Sequence, residues 1–345
     1  MTEPMDVRRP EWRPGHLCVT ALLLAALAAP LPAAKKSADD FSDSVTQVLA
    51  LPKDPPAVAT GETRRLVFHV SPLTAKGLLS QQTKDAMHAI LKANGGAPVI
   101  HIRAFVGGSG DLRRVPQLVS EVLAGKKVPL PSVTVVRAGG LALQGAEVVL
   151  EAVSLAKKDA NPDGIGFIEG QQAAGETGTT ALGKSLDAVK ARAGAAVVVR
   201  VSCFVSADGA LNEMTALAAS RFPVAAIDVV QTVRAPLRTE ATCEAVTRGG
   251  DVKAAKLAFT GTRIAIGADE KAAATAFQRL DRDLAEAGAG QGSIVATGIY
   301  PLLDRIGEMA RGLRGKAGAV TVVPFEGVST LDAAFAVDAV ATAAQ

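Results

Sequence analysis

Apolar positions along the chain switch between two periods. Leu66–Ser71 (LVFHVS) and Val99–Val106 (VIHIRAFV) are unbroken β-like runs. Between them Leu78, Leu79, Ala86, Met87, Ile90 and Leu91 recur at helical spacing until Gly95-Gly96 ends the pattern. Leu112, Val115, Leu118, Val119 and Val122 then mark a second helix face, with Gly125 as its stop. Val133–Arg137 and Val148–Ser154 read as two more strands around a Gly139-Gly140 turn. The predicted order is β-α-β-α-β-β.

That order recurs. A second pass gives a strand at Gly166–Gln171, a helix near Thr180–Ala193, a strand at Val197–Ser206, a helix near Gly209–Arg221, and strands at Ile227–Thr232 and Ala241–Thr247. A third gives Leu257–Thr260, Asp269–Ala287, Ile294–Ile299, Leu303–Leu313, Val320–Pro324 and Ala334–Val340. Two short motifs keep the same step. SVTVV, AIDVV and AVTVV place Val133, Ile227 and Val320 at intervals of 94 and 93 residues. LEAV, CEAV and VDAV place Leu150, Cys243 and Val337 at intervals of 93 and 94. One coincidence is easy in an Ala/Val-rich chain; two in step mark a tandem repeat. The expected units are 62–158, 163–249 and 254–345.

Helices with a single apolar stripe cover one face of a mixed sheet, so the class is α+β. The other face alternates in character: His101, Arg103 and Phe105 share one side, as do Arg200, Ser202 and Phe204.

The amino terminus follows a different rule. Arg8, Arg9 and Arg13 precede an apolar run from Leu17 to Ala29. A bilayer crossing takes about 20 residues, whereas this run has the length of a secretory h-region with small residues at a cleavage site. Residues 1–28 are read as a signal peptide, with a membrane anchor or a buried helix as the alternative. The polar, Pro-containing stretch 29–61 is read as a flexible linker. The expected location is exported, periplasmic or extracellular, with no membrane association after signal removal.

The chain has 345 residues, 48% hydrophobic and 21% charged, with a formal net charge of +3. Such values exclude disorder and argue against a nucleic-acid partner. Aromatic residues are only 3%, too few for a base-stacking platform. His16, His69, His88 and His101 show no i, i+4 pair, and there is no CxxC, so no metal and no cofactor are expected. The Gly107–Gly110 GGSG lacks the lysine and spacing of a phosphate loop and reads as a strand-to-helix turn.

These segments resemble the Rid (YjgF) family of reactive-intermediate deaminases, which has a chorismate-mutase-like fold. The resemblance runs through RAFVGGSGDLRRVPQL, LPSVTVV and VVLEAVSLA in the first unit, and RVSCFVSADGAL, FPVAAIDVV and TCEAV in the second. It is looser in ATGIYPLLDRIGEM, AVTVV and AVDAV of the third. It implies three tandem chorismate-mutase-like units forming a single-chain pseudotrimer, a monomer in solution, with clefts between units. In the family an Arg before the fifth strand clamps a substrate carboxylate through two parallel hydrogen bonds, and a Glu on the last strand holds or activates water. The Glu position falls on Glu151, Glu244 and Asp338, the candidate catalytic residues. The Arg position falls on Leu130, Val224 and Ala317, none of which holds an anion, and the family's Gly-Pro-Tyr segment has no counterpart. Candidate ligand-binding residues are Arg103, Arg200, Arg137 and Arg234. Against those roles stands ion pairing: the three acids with inward arginines, Arg137 and Arg234 at a surface or interface, and His101 as a polar core residue.

The resulting expectation is an exported Rid-like pseudotrimer without imine deaminase activity, binding a small molecule in its clefts or serving structurally. The enzyme alternative is a divergent enamine or imine deaminase, or related hydrolase, using Glu151 or Glu244. Cys18 leaves with the signal; Cys203 and Cys243 point to the helix-covered side of strands that the resemblance makes antiparallel neighbours. They are expected as two buried free thiols, because a disulfide would need directly opposed positions.

Overall fold

The computed structural model describes residues 58–60 and 66–343, except 109, 127–128, 157–163, 207–210, 235–238, 250–255, 316–317 and 328–332. The expected signal peptide, Ala317 and most of the expected linker lie outside them. Three linker residues do not: β1 (Val58–Thr60) is a strand.

From there the chain builds β2 (Leu66–Val70), α1 (Leu79–Ala93), β3 (Val99–Gly107), α2 (Arg114–Ala124), β4 (Ser132–Ala138) and β5 (Val148–Leu155). A second run gives β6 (Ile165–Gly175), α3 (Gly178–Ala193), β7 (Val197–Val205), α4 (Leu211–Arg221), β8 (Ala226–Gln231) and β9 (Thr239–Arg248). The last comprises β10 (Lys256–Phe259), β11 (Arg263–Ile266), α5 (Glu270–Glu286), β12 (Ala289–Pro301), α6 (Asp304–Arg314), β13 (Ala319–Val322) and β14 (Ala333–Ala343). The fold is mixed α+β. The sheets run β2-β5-β3-β4, β6-β9-β7-β8 and β1-β10-β14-β12-β13, with β11 also on β14. In each, one pair is parallel (β3 with β4, β7 with β8, β12 with β13) and the other pairs are antiparallel.

Local chemistry sets the element ends. Asp269 caps α5 by accepting from the Ala272 N–H at 2.7 Å, and Thr177 caps α3 by accepting from Thr180 N–H at 3.1 Å. α1 stops at Gly95 and Gly96, whose φ values of 61° and 80° suit a residue without Cβ. β11 has no counterpart among the expected elements. β10 and β11 are one line along β14, interrupted where Thr260 Oγ1 replaces a backbone acceptor for Ala339 N–H (2.9 Å).

Helices lie on one face of each sheet. Met87, Ile90, Val115 and Val119 pack on Ile102 and Leu150; Leu182, Leu186 and Met214 pack on Val201; Leu280 and Ile306 join Ile299 and Val337. Each such buried side chain contributes about 1.5–3 kcal/mol relative to exposure. The opposite faces meet one another: Leu66, Val153, Val199, Val246, Phe259 and Val340, drawn from all three sheets, form one apolar cluster.

The cysteine expectation is corrected. Cys203 on β7 and Cys243 on β9 are directly paired in register and joined in a disulfide, with Cα atoms 4.1 Å apart. The Cys243 N–H turns away from β7 to donate to Ser185 Oγ at 2.9 Å. The pair is therefore of the non-hydrogen-bonded kind, in which Cα atoms approach most closely.

Candidate functional site

The register aligns inward-facing residues in sets of three. Arg103 stands between Thr134 and Glu151, Ser202 between Asp228 and Glu244, and Gly298 between Thr321 and Asp338. Two residues further along each middle strand come Phe105, Phe204 and Tyr300, all buried. Phe105 and Phe204 meet edge to face at 5.3 Å, and the Arg103 guanidinium lies 5.3 Å from the Phe204 ring.

Above this aromatic floor is a layer of charge. Arg103 Nε donates to Glu244 Oε1 at 2.7 Å, its Nη2 reaches the same oxygen, and its Nη1 donates to Glu151 Oε2 at 2.7 Å. Arg200 Nε donates to Asp228 Oδ2 at 2.8 Å, and that oxygen also accepts from Ser202 Oγ at 2.9 Å. Arg200 Nη2 lies 2.8 Å from Asp338 Oδ1 as an ion pair without hydrogen-bond alignment. Arg103–Glu244 thus ties the first sheet to the second, and Arg200–Asp338 ties the second to the third. His101 accompanies them: its ring stacks on Phe167 at 4.7 Å, Nδ1 is 2.9 Å from Ser132 Oγ, and Nε2 is 3.5 Å from Glu244 Oε2.

Burial disfavours the Glu244 charge, but Arg103 and His101 outweigh it and hold the carboxyl well below its usual range. Asp228 goes the other way: burial pushes it up to about 6 despite Arg200. The Tyr300 phenol is raised by burial and then by Asp338, so it stays protonated.

Two hollows adjoin this layer. An inner chamber of about 70 Å³ touches Arg103, Glu151, Arg200, Glu244, Thr297, Gly298 and Asp338. A larger cleft of about 1160 Å³ runs between β2 and β13, bounded by apolar residues such as Phe68, Val70, Ile294 and Val320, with Glu308 and Arg311 of α6 at its side. Phe68, His69, Val70, Ala319 and Thr321 border both.

The other two seams are stitched shut. Between the first and second sheets Gly170 N–H donates to Thr134 Oγ1 at 2.8 Å, Gly139 N–H to Thr232 O at 2.8 Å, and Thr232 Oγ1 to Arg137 O at 2.7 Å. A Cβ on Gly170 would lie 2.8 Å from both Thr134 and Thr242 methyls, so glycine permits this approach. Between the second and third sheets Gln231 N–H donates to Gly327 O at 2.8 Å and Glu326 N–H to Gln231 O at 2.6 Å. Among the described residues no hydrogen bond joins β2 to β13.

The candidate residues therefore separate. Glu151, Glu244, Asp338, Arg103 and Arg200 converge in the interior. Arg137 borders a hollow of about 20 Å³ at the first seam, and Arg234 is an exposed partner of Glu326 at 3.1 Å. Leu130 and Val224 are exposed on the surface. Asp228, Thr297 and Gly298 are not among the residues that periodicity and resemblance single out, although Asp228 occupies the middle of AIDVV, aligned with Thr134 in SVTVV and Thr321 in AVTVV. Among the described residues no group of three or more His, Cys, Asp or Glu is placed to hold a metal ion.

No protein-family model and no curated protein matches the chain. Solved structures do. A chorismatase is 10% identical over 82% of this chain and 99% of its own, with a TM-score of 0.49. A YjgF-family protein of Neisseria meningitidis is 18% identical over 26% of this chain and 81% of its own, TM-score 0.24. A YjgF/YER057c/UK114-family protein of Mycobacterium tuberculosis is 23% identical over 25% and 77%, TM-score 0.23.

Proposed function

We propose that this chain is an exported, Rid-like single-chain pseudotrimer that binds one small, largely apolar molecule in the cleft between β2 and β13, without imine deaminase activity. Two four-stranded sheets with one strand order, and a six-stranded third in which β14-β12-β13 repeats β5-β3-β4 and β9-β7-β8 in the same inward register, support the tandem reading. The observation that carries the binding role is the asymmetry of the seams: two are closed by hydrogen bonds, and the third holds a cleft large enough for a small ligand. The lack of deaminase chemistry is argued from occupancy. Glu151 and Glu244 share Arg103, and Asp338 faces Arg200, so each candidate acid is already engaged in an ion pair. Leu130 and Val224, where the family has its anion clamp, present only hydrocarbon. Export is supported by the Cys203–Cys243 disulfide, a bond that persists in oxidising compartments.

Freshly generated 2-aminoacrylate-type imines test the activity directly. Ammonia release at the buffer rate is the expected result. Release well above that rate, abolished by Glu151→Gln or Glu244→Gln, would establish the deaminase alternative instead.

A further inference from the structure

In the first sheet, the middle-strand position facing the last-strand acid is Arg103, and it neutralises Glu151. In the third sheet the same position is Gly298, opposite Asp338. No side chain of β12 can neutralise Asp338 there. A Cβ on Gly298 would lie 2.9 Å from both Asp338 Oδ2 and Tyr300 Oη, so these polar atoms gather over bare backbone. Asp338 is 3% exposed, and its Oδ2 has no hydrogen-bond partner. Thr297 Oγ1, on a residue 2% exposed, is likewise unpartnered, whereas Glu244 Oε2, on a residue 4% exposed, has His101 Nε2 at 3.5 Å. All three residues border the inner chamber.

Buried polar atoms are seldom left unsatisfied in folded proteins. Arg200 Nη2 and His69 Nε2, which also border the chamber, lack hydrogen-bond partners too; on β12 and β14 the unpartnered atoms are the Thr297 hydroxyl and an Asp338 carboxylate oxygen, groups that accept hydrogen bonds. Charge points the same way. The chamber borders Arg103, Arg200 and His101 as well as Glu151, Glu244 and Asp338, with Asp228 behind Arg200. Arg103 and His101 serve Glu151 and Glu244, while Arg200 is shared between Asp228 and Asp338, so Asp338 has no cation to itself. His69, in the shared boundary, is held below its usual pKa by burial and adds no positive charge. The chamber's 70 Å³ is about the space of two waters, enough for a small cationic head but not for a ring. The residues common to chamber and cleft join that polar end to apolar walls.

We propose that the ligand of the cleft is a protonated primary amine: its ammonium enters the chamber beside Asp338, taking the place that Arg103 fills in the first sheet, and its hydrocarbon body lies between β2 and β13. This rests on the cleft being a binding site, and the experiment separates the two ideas. Hexylamine, 1-hexanol and hexanoate are compared by titration calorimetry at pH 7.5, where the amine is charged and the acid ionised. Hexylamine is expected to bind one per chain, at least tenfold tighter than 1-hexanol, with hexanoate weaker than either. Asp338→Asn, nearly isosteric, should bring hexylamine to within about threefold of 1-hexanol while leaving 1-hexanol unchanged. If 1-hexanol binds and hexylamine binds no better, the head-group assignment fails and the cleft stands. If none binds, both fail. Tighter binding of hexanoate, through Arg311, would replace the assignment with an anion site. The wild-type ranking decides the question even if Asp338→Asn does not fold.

Discussion

Arg103 on β3 and Glu244 on β9 belong to different sheets, yet Glu244 Oε1 accepts from both Nε and Nη2 of the same guanidinium. Arg103 also holds Glu151 of its own sheet, so one cation serves two acids across a seam. Removing one partner of a buried pair leaves an uncompensated charge, which costs about 3–5 kcal/mol. Arg103→Met is therefore expected to lower unfolding free energy by about that amount. The Glu151 side chain is 21% exposed, and Arg103 keeps Glu244 without it, so Glu151→Gln should cost about 1 kcal/mol or less. Urea midpoints measure both. Equal losses would mean that the Arg103–Glu244 contact does not bridge the sheets.

The disulfide predicts thiol counts. The full chain has three cysteines, so denaturation without reductant should reveal one thiol, from Cys18, and three after reduction. Chain lacking residues 1–28 should show none and then two. The closed loop spans 40 residues, and loop entropy at that length gives about 4 kcal/mol. Cys203→Ala with Cys243→Ala should lower stability by an amount of that order. Two free thiols in the denatured, unreduced short chain would restore the free-thiol expectation.

What could be read from the residues and what could not divide along a physical line. Periodicity fixed where α1 or β3 runs, because burying an apolar stripe is a local demand. Strict alternation likewise put Arg103 and Arg200 on the inward face. Their cross-sheet partners depend on how three sheets meet, information spread over long separations, so Arg103–Glu244 and Arg200–Asp338 could be named only as inward groups. Asp228 was readable by aligning AIDVV with its two counterparts. The disulfide turned on register, since a shift of one residue along β9 would have parted the cysteines. The open seam had no local signal at all: Gln231–Gly327 and Gly139–Thr232 close the other two, and among the described residues no hydrogen bond joins β2 to β13.

Asp228 gives the chain a pH dependence of unusual sign for a carboxylate. Burial raises its folded-state value to about 6, against about 3.9 in the unfolded chain. Between those values the folded state holds the extra proton, so stability falls as pH rises from about 4 to about 6. The groups facing Asp228 are Arg200 and Ser202 of β7 and Asp338 of β14. Glu244 acts oppositely: its folded-state value is depressed, so its contribution is present above about 4.3 and fades only as pH falls below that. The Asp228 effect is therefore isolated by difference. Asp228→Asn keeps an oxygen for Arg200 and Ser202 and removes the titration. Relative to this variant, the wild type should lose on the order of 2–3 kcal/mol between pH 4 and pH 7. Urea unfolding of both proteins at half-unit steps provides the curve. A flat difference would mean that Asp228 is ionised throughout, its charge fully met by Arg200.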